Sequence, residues 1–460
     1  MSTVANLARL ECISGDAAYP IGPDPIYQCK NPHELGANLL DVIYDFPKKL
    51  DPEKLKVIWR KRRMLDNPLD ASGVWRFREL LPFVDEESSI VTLGEGNTRF
   101  LQSFESAKYV SLPRLYFKHQ GDNPTGSFKD PGMSGAITQA KILGVKAVAC
   151  ASTGNTSASM AAYAKRAGIL PIVFIPEGQI SYGKLSQALD FGALTLQIEG
   201  DFDKAMELVM QIMPEIGVYI VNSINPFRIE GQKTIVAELL EQMEWQVPDR
   251  IVVPGGNLGH ASSIWKGLRE LKTLGFIKKY PKITVVQARG ADPLYRGVIS
   301  GNPDNMAIVE DARTLATAIK IGKPVSYRKA LDGVRATNGW VTEVSEQQIA
   351  DAKAIIGRDG IGAEPASAVT VAGLKRIVEE GTDEVFDREE RVVAILTGNM
   401  LKDPDYPVAY HSGKLHEGST TKSIVSKDGP KIKSTFGNKP MRVPADPNVI
   451  KNIILQKIAV

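Results

Sequence analysis

Hydrophobic and polar positions change character along the chain. Up to about residue 92 apolar residues are scattered among prolines and turn formers, as in GDAAYPIGPDPIYQCKNP. The short run LLDVIYDF and the basic-apolar segment LDPEKLKVIWRKRRML interrupt that stretch. From about residue 114 near-continuous apolar runs alternate with amphipathic stretches of helical length. RLYFKHQ is followed by SFKDPGMSGAITQAKILG, AVACAS by NTSASMAAYAKRAG, and LPIVFIP by SYGKLSQALDFG. LTLQIEG is followed by DFDKAMELVMQIMPEIG, VYIVNS by IEGQKTIVAELLEQM, and RIVVPGG by LGHASSIWKGLRELKTLG. Strands that lack polar alternation are covered on both faces, as in parallel sheets built from β-α-β units. Gly144, Gly168, Gly192 and Gly275 stand where these helices should stop. The pattern predicts an α/β fold with three parts: an irregular extension over 1–92, a main domain over 93–405 and a C-terminal segment over 406–460. The lysine-rich stretch HEGSTTKSIVSKDGPKIKSTFGNKP reads as solvated surface.

Composition narrows the class. With 460 residues, 43% hydrophobic and 24% charged, the chain has the make-up of a globular protein and can bury a large core. A net charge of +3 gives no general reason to expect nucleic acid or an anionic membrane as partner. No apolar run reaches the roughly 18 residues of a membrane helix. MSTVANLARLECISGD lacks the apolar core of a signal peptide. A soluble, cytoplasmic protein is expected. Cys12, Cys29 and Cys150 form no C-x-x-C pair, and Gly15 and Pro32 stand where a zinc ribbon would place its second thiols. A tetrahedral zinc needs four ligands, so no metal site is expected and the start reads as a degenerate zinc ribbon.

Three loops stand where a strand should hand over to a helix, which is where open parallel sheets bind ligands. In GDNPTGSFKD, Ser127 and Asp130 can make a capping box. That leaves Lys129 unexplained, since a cation in a first turn opposes the helix dipole by roughly 0.3–1 kcal/mol. The same field, with burial, would favour a neutral, nucleophilic lysine. ASTGNTSAS brings hydroxyls and amides to a second helix start, as a cap or as an anion site. VPGGNLGH brings Gly255, Gly256, Asn257, Leu258, Gly259 and His260 to a third. Its glycines serve either a tight turn or a phosphate, and the loop matches neither the Walker nor the dinucleotide pattern. Together the three loops fit a phosphorylated carbonyl cofactor held covalently, and pyridoxal phosphate meets that description.

The motifs NPTGSFKD, ASTGNTS, NSINPFRIEGQKT, VPGGNLG and LTGNMLKDPD occur in an order that resembles the threonine synthases, which are pyridoxal-phosphate enzymes of fold type II. The likeness runs from about Gly73 to about Asp405, and the extension before it resembles that family's N-terminal region with the metal-binding thiols lost. It implies two open, mainly parallel sheets in a large and a small subdomain, the small one at about 133–230 and mobile. It implies that Lys129 forms the Schiff base with pyridoxal 5'-phosphate and shuttles protons. Asn155 would bond the cofactor's phenolic oxygen, the loop Gly256 to His260 its phosphate, and Thr397 its pyridine nitrogen. Ser152, Thr153 and Thr156 would bind substrate, while Asn222, Ser223, Arg228 and Lys184 would take its phosphate. The implied substrate is O-phospho-L-homoserine, converted with water to L-threonine and phosphate by a homodimer. Pro131, His260 and Gln120 replace the family's more familiar arginine, asparagine and glutamate. Cysteate synthase shares these motifs, and a threonine or serine dehydratase of fold type II, which should not need Arg228, is the other alternative.

Overall fold

A computed structural model describes residues 8–33, 38–47, 50–176, 182–199, 209–213, 215–380, 387–418 and 429–458. The extension is more regular than its turn-rich sequence predicts. Strands β1 (Ala8–Cys12), β2 (Ala18–Pro20) and β3 (Leu40–Tyr44) form an antiparallel sheet in the order β2-β1-β3. Gly15, at φ +76°, lets the chain reverse between β1 and β2. Prolines crowd the segment after β2, so each strand is short.

The expected alternation produces two further sheets. The larger contains β4 (Phe100–Gln102), β5 (Leu115–His119), β10 (Arg250–Pro254), β11 (Lys282–Ala288), β12 (Trp340–Val344) and β13 (Val392–Leu396). Its order is β12-β11-β10-β13-β5-β4, and only the edge strand β4 runs antiparallel to its neighbour. The smaller contains β6 (Ala147–Ala151), β7 (Leu170–Pro176), β8 (Leu194–Ile198) and β9 (Tyr219–Ile220), all parallel, in the order β8-β7-β6-β9. Every residue of β10 and β13 is buried, because helices cover both faces of the large sheet. Separate apolar clusters lie on its two sides, and a third joins the small sheet to the N-terminal one.

Two helices set the distance between the sheets. Lys129–Ile142 leaves β5 and packs along Pro226–Gln242, which leaves β9. Glycines bring their backbones together: a Cβ on Gly231 would lie 1.8 Å from Pro131 O, and one on Gly135 would lie 2.8 Å from Phe227 O. This contact places the first turn of one helix beside the first turn of the other, so Lys129 and Arg228 face a common region. Buried Glu95 joins the preceding segment to that pair. It accepts from Ser72 Oγ at 2.6 Å, Ser134 Oγ at 2.9 Å and the Tyr163 hydroxyl at 2.8 Å.

Candidate active site

Loops from the carboxyl ends of β5, β6, β10 and β13 converge. Phe128 N–H donates to Thr397 O at 2.9 Å, and Ser127 pairs with Gly398 as an isolated bridge. The loop after β5 is thereby fixed to the end of β13, and this undoes the capping box expected at Ser127. The helix begins at Lys129 after Phe128, which gives no side-chain cap. Ser127 Oγ is 3.4 Å from Lys129 N, and the Asp130 carboxylate turns back to accept from Thr125 N at 2.6 Å and Thr125 Oγ1 at 2.5 Å.

Lys129 therefore stands at an uncapped helix start, with Nζ 4.4 Å from the Phe128 ring centre. Loss of water pushes its ammonium well below the ordinary lysine value. Arg228 pushes the same way, and Glu364 opposes. The position that stood out in the sequence thus carries an amine whose neutral form is favoured.

In the glycine loop after β10, packing adds a demand beyond those read from the sequence. A Cβ on Gly255 would lie 2.7 Å from Val285 Cγ1, and one on Gly256 would lie 2.9 Å from Ile319 Cα. These glycines answer to close packing behind the loop. The left-handed turn falls instead on Leu258, at φ +62°, a conformation that costs a non-glycine residue roughly 1–2 kcal/mol. It precedes the helix Gly259–Thr273, whose first backward bond into the loop is Ser262 N–H to Leu258 O at 3.0 Å. The opening amides of a helix have no partner within it, and the left-handed step before Gly259 gives the geometry of a nest suited to an anion. His260 lies in that turn, buried and 4.5 Å from the Phe128 ring, and neither ring nitrogen has a hydrogen-bond partner among the described residues. Burial, then the charge of Lys129, brings its pKa down to about 3. Asn257 ties the loop to its surroundings, donating to Ser223 Oγ at 2.8 Å and accepting from Val325 N at 2.6 Å.

Arg228 is buried in the first turn of Pro226–Gln242. Its Nη1 donates to Val221 O at 3.1 Å, and its Nε has no partner among the described residues. Among the described residues it makes no ion pair, and burial brings its pKa down to about 10. Asn222 is occupied otherwise than expected: its amide bonds both the N–H and the C=O of Ala151, each at 3.1 Å, as if extending β9. Ser152, Thr153 and Thr156 are half-buried around the start of the helix Asn155–Arg166. Lys184 falls on the helix Tyr182–Asp190, with its side chain outside the described residues.

Glu364 and Ser367 escaped the sequence reading. The buried Glu364 carboxylate accepts from Asn155 Nδ2 at 3.1 Å and from Thr397 Oγ1 at 3.0 Å. Ser367 Oγ accepts from the N–H groups of Thr397 and Gly398, at 2.8 and 3.1 Å. Gly398 has no side chain because a Cβ there would lie 2.5 Å from the Glu364 carboxyl carbon. The only signal in the sequence was GAEPAS, which reads equally well as an ordinary helix start before Pro365.

The family model described as pyridoxal-phosphate dependent enzyme matches residues 91–398. The fold agrees with solved structures of maize serine racemase (TM-score 0.57, 21% identity, 69% of this chain and 94% of that one) and of diaminopropionate ammonia lyase from Escherichia coli (0.58, 15%, 78% and 91%). Among curated proteins, the threonine synthase of Methanocaldococcus jannaschii is 46% identical over 86% of this chain and 93% of its own. That of Methanosarcina acetivorans is 44% identical over 86% and 92%. The chloroplastic threonine synthase 2 of Arabidopsis thaliana is 37% identical over 87% and 78%. The chain belongs to the pyridoxal-phosphate dependent enzymes, within their threonine synthase branch. It is a pyridoxal-phosphate enzyme of fold type II, with two open sheets as expected. Its residues fit the cofactor: a lysine held toward its neutral form, a helix-start nest for a phosphate, and unpartnered buried atoms on His260 and Arg228. No described helix is long and apolar enough to cross a membrane.

Proposed function

We propose that the chain converts O-phospho-L-homoserine and water to L-threonine and phosphate. The observation that carries this reading is the buried Arg228, which makes no ion pair among the described residues and lies close enough to Lys129 to shift its titration. A buried guanidinium without an anion is costly, so the site is prepared for a negatively charged group. Phosphate suits the guanidinium fork.

Pyridoxal phosphate, when bound, supplies the electron sink that makes the substrate's Cα and Cβ protons removable. Lys129 would hold it covalently, the amides from Gly256 to His260 would take its phosphate, and Asn155 and Thr397 would bond polar atoms of its ring. Glu364 bonds both Asn155 and Thr397, which fixes them relative to each other. Once the substrate's amine displaced it from the cofactor, Lys129 Nζ would be free to take the proton at Cα and to serve the neighbouring carbons in turn, a task suited to one long side chain. Arg228, with Ser223 and Lys184, holds the phosphate leaving Cγ and stabilises the charge it gains. Ser152, Thr153 and Thr156 hold the substrate carboxylate. Asn222 acts by positioning Ala151 and the loop after it. Water must stay out until phosphate has left and then reach Cβ. Closure of the part at about 133–230 over the cleft meets that need.

The test is a paired assay of purified protein on O-phospho-L-homoserine, following phosphate and threonine together. Equal amounts are expected. Phosphate with oxobutyrate, or no phosphate from cofactor-loaded protein, would overturn the reading. A cytoplasmic homodimer completes the proposal, and sedimentation of the purified protein would test its assembly state.

A further inference from the structure

The sequence reading left Cys12 and Cys29 as isolated thiols because Gly15 and Pro32 occupy the places of their partners. The structure brings in the residue one further along each loop. Cys12, Asp16, Cys29 and His33 offer four ligand atoms that all lie within 4.8 Å of one another. Cys12 Sγ is 3.3 Å from His33 Nε2, which is 3.4 Å from Asp16 Oδ2, while Cys29 Sγ is 4.0 Å from Asp16 Oδ1. Zinc bonds of roughly 2.0–2.3 Å in a tetrahedron put ligand atoms about 3.3–3.8 Å apart along its edges. Two of these separations, 3.3 and 3.4 Å, match those edges, and 4.0 Å lies just above them.

The supporting contacts are also those of a built site. The turn that carries Asp16 is closed by Cys12 N–H to Ala17 O at 2.8 Å and Gly15 N–H to Cys12 O at 2.9 Å. Asn31 Nδ2 donates to Asp16 Oδ2 at 2.8 Å and orients the carboxylate. The Tyr19 hydroxyl is 3.2 Å from Cys29 Sγ and accepts from Lys30 N at 2.8 Å. Such outer contacts fix metal ligands in place. Both sulfurs belong to buried residues, His33 is nearly covered, and Asp16 faces solvent.

We propose that Cys12, Asp16, Cys29 and His33 form a closed tetrahedral site for one zinc ion that fastens the N-terminal sheet. Two thiolates and an imidazole select zinc over magnesium or calcium, which take oxygen ligands. Four protein ligands leave no open position, so the ion is structural. It joins the end of β1 to the segment after Tyr27, whose hydroxyl accepts from Ile220 N–H of β9 at 2.8 Å. The ion thereby stiffens the extension where it grips the small sheet. This inference does not rest on the proposed substrate.

The experiment is metal analysis of the full-length, cofactor-loaded protein, purified under reducing conditions without a metal column. About one zinc per chain is expected, falling to less than about 0.1 in Cys29→Ser and in His33→Ala, with the visible absorbance of bound cofactor retained as the sign of a folded catalytic domain. Replacement by Co2+ should give the thiolate charge-transfer and ligand-field bands of a tetrahedral centre. If the variants do not fold, the wild-type zinc content and cobalt spectrum decide alone. Wild-type protein that neither carries zinc nor takes up Zn2+ or Co2+, equal metal content in wild type and variants, or a Cys12–Cys29 disulfide would each overturn the proposal.

Discussion

His260 offers a sharp test of the site's electrostatics. It is buried, neither ring nitrogen is bonded among the described residues, and its pKa is brought down to about 3, chiefly by burial. A free imidazole titrates near 6.5. Above that pH the ring is neutral in both folded and unfolded chains and contributes no pH dependence. As pH falls from about 6.5 toward 3, the unfolded chain takes up a proton that the folded chain refuses, so stability is lost. At pH 5 the loss is 2.303RT times the 1.5-unit gap, about 2 kcal/mol, and any folded value below about 4 gives nearly the same figure. The substitution His260→Asn removes the titrating ring at modest change in volume. Denaturant midpoints of both proteins, freed of cofactor, at pH 7 and pH 5 measure the difference. Asp130 and Glu346, whose pKa values burial raises to about 6 and about 7, titrate in the same window but are common to both proteins and cancel. Wild type should lose about 2 kcal/mol more than His260→Asn between the two pH values. Equal losses, or an imidazole seen by NMR to titrate near 6.5 in the folded protein, would refute the reasoning.

Other expectations follow from the same geometry. Lys129→Ala should abolish both turnover and the cofactor mass fixed to the chain by borohydride; a variant with full activity would remove Lys129 from its role. Arg228→Ala should raise KM for the phosphorylated substrate about 10–150-fold for each charge-assisted bond lost, at roughly 1.5–3 kcal/mol per bond. It also removes a cation that depresses Lys129, so the pH at which kcat/KM rises should move upward; an unchanged KM and profile would contradict both arguments. Gly231→Ala would put a methyl 1.8 Å from Pro131 O and push the two helices apart. A loss of about 3 kcal/mol is expected from such overpacking, and an unshifted melting temperature would show that the contact yields freely.

Local pattern sufficed wherever the cause is local. Runs such as RIVVP and the paired runs AVACA and LPIVFIP announced parallel strands because both faces of each must be covered, and β10, β6 and β7 lie where those runs do. Lys129 stood out because a helix start disfavours a cation, which depends on one turn of backbone. Where neighbours distant in sequence decide, the same reasoning failed. Ser127 has the spacing of a cap, yet the bridge to Gly398 claims its loop first. Gly255 and Gly256 read as turn or phosphate glycines, and what that reading did not show is that Val285 and Ile319 press on them from behind and exclude a side chain whatever the loop binds.

The helix Pro226–Gln242 carries Glu230, Lys233 and Glu238 but is buried from Pro226 through Leu240. Lys233 reaches Glu270 at 2.6 Å and Glu238 pairs with Lys118, partners that lie on other elements. Glu364 became legible only once β13 and the start of Asn155–Arg166 were placed against it. Asp16 and His33 joined the two thiols only once two turns had folded toward each other. Periodicity, caps and charge at helix ends act over a few residues, so the sequence by itself determined the α/β alternation, the strand-to-helix loops and the unusual place of Lys129 in a first turn. Packing joins residues a hundred or more positions apart, so only the tertiary structure decided which buried charges are paired and which, like Arg228, form no ion pair among the described residues.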